Sequence, residues 1–226
     1  MGILTEGKVR VEEKEVWVSK FFILNPAKEY AMEKNVAFET NEKVLSMSAL
    51  STKDGKNLLC FGCCIGHTNF PPNSVSLTSR FPSIKVYSFE KQNEELLVNL
   101  LFSYPLDNPP TAMESYFSQL LVGVGRKLML YDIYKQKLVV RAISDMLSSP
   151  ICTIHVDEEK IFITQVYESF SLMKFNPKNK CFDLIGQDFI DRFTTCACLM
   201  DGEAGVMAGG DKFGNFYVSK MSESNC

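Results

Sequence analysis

This chain of 226 residues has few histidines, no excess of positive charge and no long apolar run. No apolar run approaches the roughly 18 residues that a membrane helix needs, and the first residues are too charged for a signal peptide. Lysine and arginine total 24 against 27 aspartates and glutamates, and the net charge of -3 disfavours binding along a phosphate backbone. Myristoylation needs Ser or Thr where Glu6 stands. The sequence therefore predicts a soluble globular protein with no membrane attachment and no broad nucleic-acid surface.

Residues that would support enzyme chemistry are also sparse. The two histidines give general-base catalysis little to work with, and His155 lies in an apolar, strand-like run. The stretch 123–128 lacks the last glycine of a dinucleotide-binding fingerprint, and Asp211-Lys212-Phe213-Gly214 has no accompanying kinase motif. We therefore predict no catalytic residue, no cofactor and no small-molecule substrate, and we do not expect an enzyme.

The eight cysteines are too few and too unevenly spaced for the disulfide framework of a small secreted domain, which predicts reduced thiols. Cys60 and Cys63 would point to opposite faces of an extended strand, so joint metal binding is awkward. Cys196 and Cys198 would share a face, but with only two histidines in the chain we interpret them as small, buried apolar residues. No metal site is predicted.

The chain does contain a repeat with a period a little above about forty residues. Four segments each combine an apolar strand, a polar turn and a second apolar strand, at residues 59–89, 119–133, 160–175 and 205–220. Their second strands align on Ile84, Leu128, Phe170 and Phe216, which are 44, 42 and 46 residues apart. Further strand-like runs follow at residues 96–104, 137–142 and 181–187. This interval is typical of the four-stranded blade of a β-propeller.

The apolar patterns favour stacked sheets over alternating helices and strands. Residues 120–124 and 161–163 are apolar without alternation, as expected for strands that neighbouring sheets cover on both faces. Residues 16–24, 29–38 and 44–50 supply further strands, and the nearest helix candidate, 113–121, is equally well explained by a strand. The predicted fold class is all-β: WD40-like β-propeller blades, about four to five four-stranded antiparallel blades forming an open arc of a seven-bladed propeller.

The expected organisation is an N-terminal extension at residues 1–16, propeller blades at 17–221 and a C-terminal tail at 222–226. An open arc leaves one blade face uncovered at each end. If each such face leaves on the order of 500 Å² of apolar surface in water, the lost burial is at most roughly 12 kcal/mol. We therefore expect the isolated chain to be poorly stable or to self-associate.

The loop of the first hairpin holds the candidate partner contacts. Short turns at residues 125–127, 167–169 and 211–215 join the paired strands of the other hairpins. In the first hairpin the turn expands to residues 66–83, a surface loop rich in Pro, Ser and Asn. Phe70, Arg80 and Phe81 of this loop are the candidate partner contacts, weighed against ordinary loop packing, which is the commoner role of exposed aromatic residues.

The repeat and its motifs resemble the C-terminal propeller region of one protein family. That family groups splicing factor 3b subunit 3, the large (A) subunit of the cleavage and polyadenylation specificity factor, CPSF, and the large subunit of UV-damaged-DNA-binding protein. The resemblance runs from about residue 17 to 220. What looks like the family's blade core is the stretch 120–125 together with Leu128, Leu130, Tyr131 and Asp132. The turn Asp211-Lys212-Phe213-Gly214-Asn215 is most similar to the splicing member, whereas Arg192-Phe193 departs from an Arg-Trp pair there.

What the resemblance implies is a nuclear, non-catalytic scaffold for pre-mRNA splicing, in the splicing factor 3b complex of the ribonucleoprotein that recognises the branch site. The implied partners are a large helical-repeat subunit and a small helical subunit, with RNA contacted at most indirectly. Two alternatives stay open: a propeller adaptor of a cullin-type ubiquitin ligase or DNA-damage-binding complex, and a direct nucleic-acid-binding module. Phe70 and Phe81 beside Arg80 are the candidates for direct binding, which should weaken steeply as salt rises.

Overall fold

The described part of the chain is built of β-strands. The computed structural model describes residues 2–11, 14–66, 80–92 and 95–221, with side-chain environments from Val18 onward. Within these residues the regular structure is strand, apart from a short 3-10 turn at Pro26–Lys28 whose first amide bonds to the Asn25 side chain. No helix there has the length and hydrophobicity of a membrane span. The predicted all-β class is confirmed.

The eighteen described strands form five antiparallel sheets, which we call blades I to V in chain order. Blade I consists of β1 (Gly2–Val11), β2 (Lys14–Asn25) and β3 (Ala31–Ala37). Blade II consists of β4 (Glu42–Ser51), β5 (Asn57–Ile65), β6 (Arg80–Gln92) and β7 (Glu95–Pro105). Blade III consists of β8 (Pro110–Tyr116), β9 (Gln119–Val124), β10 (Lys127–Tyr134) and β11 (Lys137–Ser144). Blade IV consists of β12 (Ile151–Asp157), β13 (Lys160–Gln165), β14 (Phe170–Asn176) and β15 (Cys181–Gln187). Blade V consists of β16 (Thr194–Asp201), β17 (Val206–Asp211) and β18 (Phe216–Lys220).

All four hairpins of the repeat are present. They are the second and third strands of blades II to V, namely β5–β6, β9–β10, β13–β14 and β17–β18. The aligned residues Ile84, Leu128, Phe170 and Phe216 all lie in third strands, and the runs that follow them are the fourth strands β7, β11 and β15. The period of the sequence is therefore the step from one blade to the next.

The strand count departs from four per blade at both ends of the arc. Blades II, III and IV have four strands, but blades I and V have three each within the described residues. Residues 2–11, which the sequence places in an extension, form β1 and pair with β2 along their whole length. The repeat also leaves out the first strands β8, β12 and β16, because its alignment rests on the turn between the second and third strands.

The hydrophobic core lies between blades rather than inside any one of them. Four clusters of buried apolar residues in the described chain each join one blade to the next. Between blades I and II, the rings of Phe21 and Phe61 meet edge to face with centroids 5.0 Å apart. Between blades III and IV, Leu121 and Leu130 pack with Ile154. The blades thus stack in the order I to V, in an arc that does not close.

This stacking explains why the second strands are apolar on both faces. In β9, Leu121 belongs to the cluster shared with blade IV, whereas Leu120 and Val122 belong to the cluster shared with blade II. Neither face of the strand meets water, so the usual alternation of polar and apolar residues is lost. The coverage on both faces that residues 120–124 predict is confirmed.

Adjacent blades are in close contact at Gly123 and at side-chain hydrogen-bond donors. A Cβ atom on Gly123 of β9 would lie 2.8 Å from Cγ2 of Ile151 in blade IV, so glycine is required for this contact. The Thr111 hydroxyl of blade III donates to the carbonyl of the same Ile151 at 2.7 Å. One junction earlier, the Ser46 hydroxyl of blade II donates to the Pro110 carbonyl of blade III at 2.6 Å.

The same kind of bond occurs at the two outer junctions. The Ser19 hydroxyl of blade I donates to the Glu42 carbonyl of blade II at 2.9 Å. Nε2 of His155 in blade IV lies 3.0 Å from the carbonyl oxygen of Ala197 in blade V. His155 therefore links two blades, which is the structural role that its apolar surroundings favour.

The cysteines divide into buried and exposed groups. Cys60 packs between blades II and III and Cys63 between blades I and II, so the prediction that they face opposite sides is confirmed. Burial raises the pKa of the Cys60 thiol to about 12 and raises the pKa of Cys63 further. Cys196 and Cys198 are exposed, which corrects their interpretation as buried residues. They lie on the outer face of blade V, which no other described blade covers.

That outer face of blade V carries the apolar surface expected at an open end. Cys198, Ala208 and Val218 are directly paired across the three strands, so their side chains share this face. Phe216 lies on it as well and exposes 74% of its surface. In blade IV, the equivalent strand positions 170–173 are all buried. The difference comes from the missing neighbour, not from the sequence of the strand.

Candidate interaction surface

One face of the arc, which we call the upper face, collects the loops best placed to contact a partner. Strands within a blade alternate in direction, so the turn between second and third strands and the loop to the next blade emerge at the same end. Hydrogen bonds join them: the Ile151 amide donates to the Gly125 carbonyl at 2.9 Å, and the Val166 amide to the Pro150 carbonyl at 2.8 Å. The described ends of the predicted loop 66–83, at residue 66 and residues 80–83, and the turn 211–215 belong to this face.

Two of the three predicted partner contacts are described, and Phe70 lies outside the described residues. Arg80 begins β6 and is exposed. Phe81 exposes 76% of its surface and has a φ of 50°, a left-handed conformation that is rare for a bulky residue. It lines a cleft of about 440 Å³ together with Pro82 and Leu106. Both side chains are therefore placed where a partner could reach them, and their contact role stays a prediction.

A charge cluster lines the same cleft and joins blade II to the connection that leaves blade I. Nζ of Lys85 lies 2.8 Å from the Glu42 carboxylate and 3.1 Å from that of Glu39. Burial by itself lowers the pKa of Lys85, but hydrogen bonds and charge interactions with the two carboxylates outweigh it, so the pKa is raised. Lys85 and Glu42 are buried, and Glu42 also accepts the Glu39 amide at 3.0 Å. Lys85 and Glu42 are therefore paired inside the protein, Glu39 adds an exposed carboxylate, and the three charges together help to hold the cleft.

The turn 211–215 is shaped by its own first residue. The Asp211 carboxylate accepts the amides of Phe213 at 2.8 Å and Asn215 at 2.9 Å, and the Asn215 side-chain amide at 2.7 Å. Gly214 has a φ of 88°, which glycine adopts without strain. Desolvation would raise the pKa of Asp211, but these hydrogen bonds outweigh it and the pKa is lowered. The turn thereby presents Lys212 and Phe213 at the surface.

Three aromatic rings, Tyr167, Phe193 and Phe213, form what we call the aromatic row across blades IV and V. Ring centroids are 5.8 Å apart for Tyr167 and Phe193, and 5.6 Å apart for Phe193 and Phe213, both in edge-to-face geometry. Nζ of Lys212 lies 4.0 Å from the Phe193 centroid and 5.1 Å from that of Phe213. The Lys212 amide donates to the Phe193 carbonyl at 3.1 Å, which fastens the turn to the loop before β16.

Polar contacts beside the aromatic row hold two carboxylates of these loops in place. The Arg192 guanidinium lies over the Tyr217 ring at 4.5 Å and pairs with Asp188 at 3.3 Å. The Glu168 carboxylate accepts hydrogen bonds from three side chains, those of Ser148, Gln165 and Gln187. The Arg192 ion pair compensates the charge of Asp188, whereas the donors to Glu168 are neutral and leave its negative charge in place. Both carboxylates orient the loops around them.

The chemistry of the upper face is that of a contact surface. No group of three or more potential metal-ligating side chains occurs in the part of the chain that the structure describes. The face instead combines exposed aromatic rings, a few cations and loops fixed by hydrogen bonds, which are the usual components of protein interfaces.

Those predicted site residues that the structure describes share this face without contacting each other. Arg80 and Phe81 stand on blade II and the 211–215 turn on blade V, with blades III and IV between them. Sequence reasoning missed Tyr167 and Phe193 as partners of the turn. A signal for Tyr167 exists: it precedes Phe213 by 46 residues (167 to 213), the same step that separates the third strands of blades IV and V.

The family assignment rests on the length of chain that matches one family. The sequence pattern of the CPSF A subunit region matches residues 18–225 of this chain. The chain belongs to the CPSF A subunit family. The match covers blades I to V except the first strand and the beginning of β2, so the family's region and the row of stacked blades coincide.

Several relatives are similar to the chain along most of its length. Pre-mRNA-splicing factor rse1 of Emericella nidulans is 28% identical over 204 residues, which cover 89% of this chain and 16% of the relative. Spliceosome-associated protein 130 A of Arabidopsis thaliana is 27% identical over 213 residues, or 93% of this chain and 17% of the relative. Splicing factor 3B subunit 3 of Danio rerio is 28% identical over 124 residues, or 55% and 10%. The chain thus spans about one sixth of the length of the first two relatives.

Proposed function

We propose that this CPSF A family chain is a non-catalytic scaffold for pre-mRNA splicing, acting within the splicing factor 3b complex of the branch-site-recognising ribonucleoprotein. The observation that carries the proposal is the similarity, over nine tenths of the chain, to proteins named as pre-mRNA-splicing and spliceosome-associated factors. A nuclear location and the absence of a catalytic step belong to the same proposal.

The architecture supports a scaffold role. Each blade is held by its neighbours through a shared core, and every junction between described blades adds a side-chain bond to a neighbouring carbonyl. Such a stack is stiff, so loops on different blades keep fixed positions relative to one another. A stiff surface with several separate contact points suits the binding of more than one protein. We propose a large helical-repeat subunit and a small helical subunit as those partners.

The proposal is tested by affinity capture of the tagged protein from nuclear extract, followed by identification of the proteins retained. We expect splicing subunits in amounts comparable to the bait. Recovery of a cullin ligase without any splicing subunit would overturn the proposal and favour the adaptor alternative. Retention on RNA or DNA that weakens steeply with salt, without protein partners, would favour direct nucleic-acid binding instead.

We further propose that Arg80 and Phe81 take part in one of these protein contacts. Replacing Phe81 with Ala should reduce recovery of one partner while leaving the others unchanged. Phe117 offers a matched control, because it is also an exposed Phe with positive φ, 69% exposed and at 53°, but on the opposite face. Equal recovery with Phe81→Ala and Phe117→Ala would leave ordinary loop packing as the role of Phe81.

A further inference from the structure

The face of the arc opposite the upper face carries a basic surface at its outer edge. The first strands of neighbouring blades lie closer together than their fourth strands, so the blades fan outward and the turn before each fourth strand lies at the edge. In blades III and IV these turns, with the residues that flank them, are 134–137 and 176–181. We call these two turns together the basic rim. Its four lysines are all exposed: Lys135, Lys137, Lys178 and Lys180.

The two turns of the basic rim rest on a shared base. The fourth strands β11 and β15, which begin at these turns, lie next to each other. At the end of β14, the Phe175 ring meets Tyr116 of blade III edge to face, with centroids 6.3 Å apart, and contacts Phe182 across its own turn at 5.6 Å. The Asn176 side chain accepts the Lys178 amide at 3.2 Å, which fixes the second turn. The lysines therefore extend from fixed positions on two adjacent blades.

The first turn of the basic rim carries residues that do not suit its backbone. Tyr134 pairs with Lys137, which leaves a loop of two residues, Lys135 and Gln136. Both are left-handed, with φ values of 47° and 59°, a conformation for which Asn-Gly is the favoured pair. Lys180 in the second turn is left-handed as well, with a φ of 53°. Backbone outliers of this kind motivate a functional hypothesis, here that the lysine charges contribute to binding.

The basic rim is positive when every charged group in it is counted. Residues 134–137 and 176–183 contain four lysines and one carboxylate, and four positive charges minus one negative give a net charge of +3. The carboxylate, Asp183, accepts a hydrogen bond from a neutral amide and keeps its charge. Within the described residues, none of the four lysines forms an ion pair. The flanking ion pairs, each with atoms 2.6 Å apart, add no net charge: Arg141 with Asp132 and Lys174 with Glu159.

Negative charge borders the basic rim on two sides. Towards the first strands, at the same end of blades III and IV, Glu114, Asp157 and Glu158 outnumber Lys160. Towards blade II, the described ends of the corresponding turn carry Glu90 and Glu95 with Lys91. The positive surface is therefore confined to the outer turns of two blades, in a chain whose net charge is -3.

We propose that the basic rim docks a protein segment rich in Asp and Glu, with its four lysines as the charge contacts. Complementary charge steers the encounter with such a partner and makes the binding dependent on salt. Tyr134 adds a ring that is 60% exposed, and Nζ of Lys135 lies 5.3 Å from its centroid. This inference rests on the proposed scaffold function and names the chemistry of one partner.

RNA would also bring negative charge, and lysines can neutralise its phosphates. Its charge continues along the whole strand, however, so an RNA that follows this surface passes from the lysines to the carboxylates beside them. Those carboxylates include Glu90 and Glu95 on one side and Asp157 and Glu158 on the other. An acidic protein segment can end where the lysines end. The distribution of charge therefore favours a protein partner.

Site-directed photocrosslinking in the assembled protein tests the basic rim directly. A benzophenone amino acid replaces Asn179, which is exposed between Lys178 and Lys180, in the full chain. The tagged protein is assembled in nuclear extract and irradiated, and crosslinked peptides are identified by mass spectrometry. Asp54 is the matched control position, because it is exposed in a turn of blade II at the same end of the strands. We expect position 179 to crosslink to a peptide with several Asp or Glu residues, with or without ribonuclease, and position 54 to give no such product.

Charge reversal measures the contribution of the lysines. Replacing both Lys178 and Lys180 with Glu should reduce the product at position 179 about tenfold, because two attractive contacts become repulsive. Replacing both Lys53 and Lys56 with Glu makes the same change in net charge at the control turn and should leave the product unchanged.

A second variant separates binding from folding. Lys135→Asn combined with Gln136→Gly introduces the favoured turn pair, so the urea midpoint should rise. The same variant removes one charge of the basic rim and should reduce the product at position 179 about twofold. A lower yield in a more stable protein cannot result from misfolding.

Three results would overturn the inference. They are crosslinking at position 179 to RNA or to a peptide without excess acidic residues, a yield no higher than at position 54, and an unchanged yield after reversal of Lys178 and Lys180. If affinity capture still recovers splicing subunits in those cases, the scaffold function stands without this surface. If capture recovers none while position 179 crosslinks to an acidic peptide, the surface stands and the scaffold function fails.

Discussion

Gly123→Ala should destabilise the protein because it places a methyl group in the junction between blades III and IV. The new Cβ would lie 2.8, 2.9 and 3.2 Å from Cγ2, Cβ and Cδ1 of Ile151, whose β-branched side chain has little freedom to move. Overpacking of a tight contact costs about 1–3 kcal/mol, partly offset by the roughly 0.4–1 kcal/mol that alanine gains by restricting the unfolded chain. We expect a net loss of about 1–2 kcal/mol in the free energy of unfolding.

Urea unfolding followed by circular dichroism measures this loss. Gly186→Ala is a matched control, because Gly186 also lies in a strand and its nearest neighbour to an added Cβ is Met221 Cε at 3.7 Å. That variant should unfold at or slightly above the wild-type urea midpoint. A double-mutant cycle with Ile151→Ala should show coupling of about 1 kcal/mol, since the smaller side chain relieves two of the three close contacts. A wild-type midpoint for Gly123→Ala would refute the close approach of the two blades.

Three further predictions concern stability and association. Glu42→Gln should lower the free energy of unfolding by about 1–3 kcal/mol, because buried Lys85 loses a charged partner. Glu39→Gln, which changes an exposed carboxylate, should cost under about 1 kcal/mol in the same urea assay. The free energy of unfolding should decline between about pH 9 and pH 12, because the unfolded state releases the Cys60 proton with a pKa of 9.0 whereas the folded state keeps it up to about 12. A free energy of unfolding that stays flat over that range would contradict this. Val218→Glu should reduce self-association in sedimentation velocity, and unchanged association would show that the outer face of blade V is not responsible.

The repeat could be predicted from the sequence because turn chemistry and strand pattern coincide at its second and third strands. Ile84, Leu128, Phe170 and Phe216 recur in equivalent positions, and the turns before them contain residues that reverse the chain. The first strands lack a shared turn signal, so β8, β12 and β16 escaped the alignment. The residue at which each blade begins depends on packing against the preceding blade, and no local sequence pattern indicates that packing.

The burial of individual residues depended on neighbours that the sequence cannot identify. Cys60 and Cys196 both lie in strand-like apolar runs, yet one is packed between two blades and the other faces outward from the last described blade. Whether a strand is covered is a property of the stack and not of the strand. The same reasoning explains the candidate surface: Phe213 could be singled out from its turn, but its contact with Phe193 depends on how blade V docks on blade IV.

The scaffold proposal is tested most directly by sedimenting the tagged protein from nuclear extract in a gradient, before and after ribonuclease treatment, and quantifying the splicing subunits that travel with it. A protein-binding scaffold predicts that those subunits stay with the protein in near-equal amounts after the RNA has been digested. Release of every splicing subunit by ribonuclease, or migration of the protein without them, would contradict the proposal.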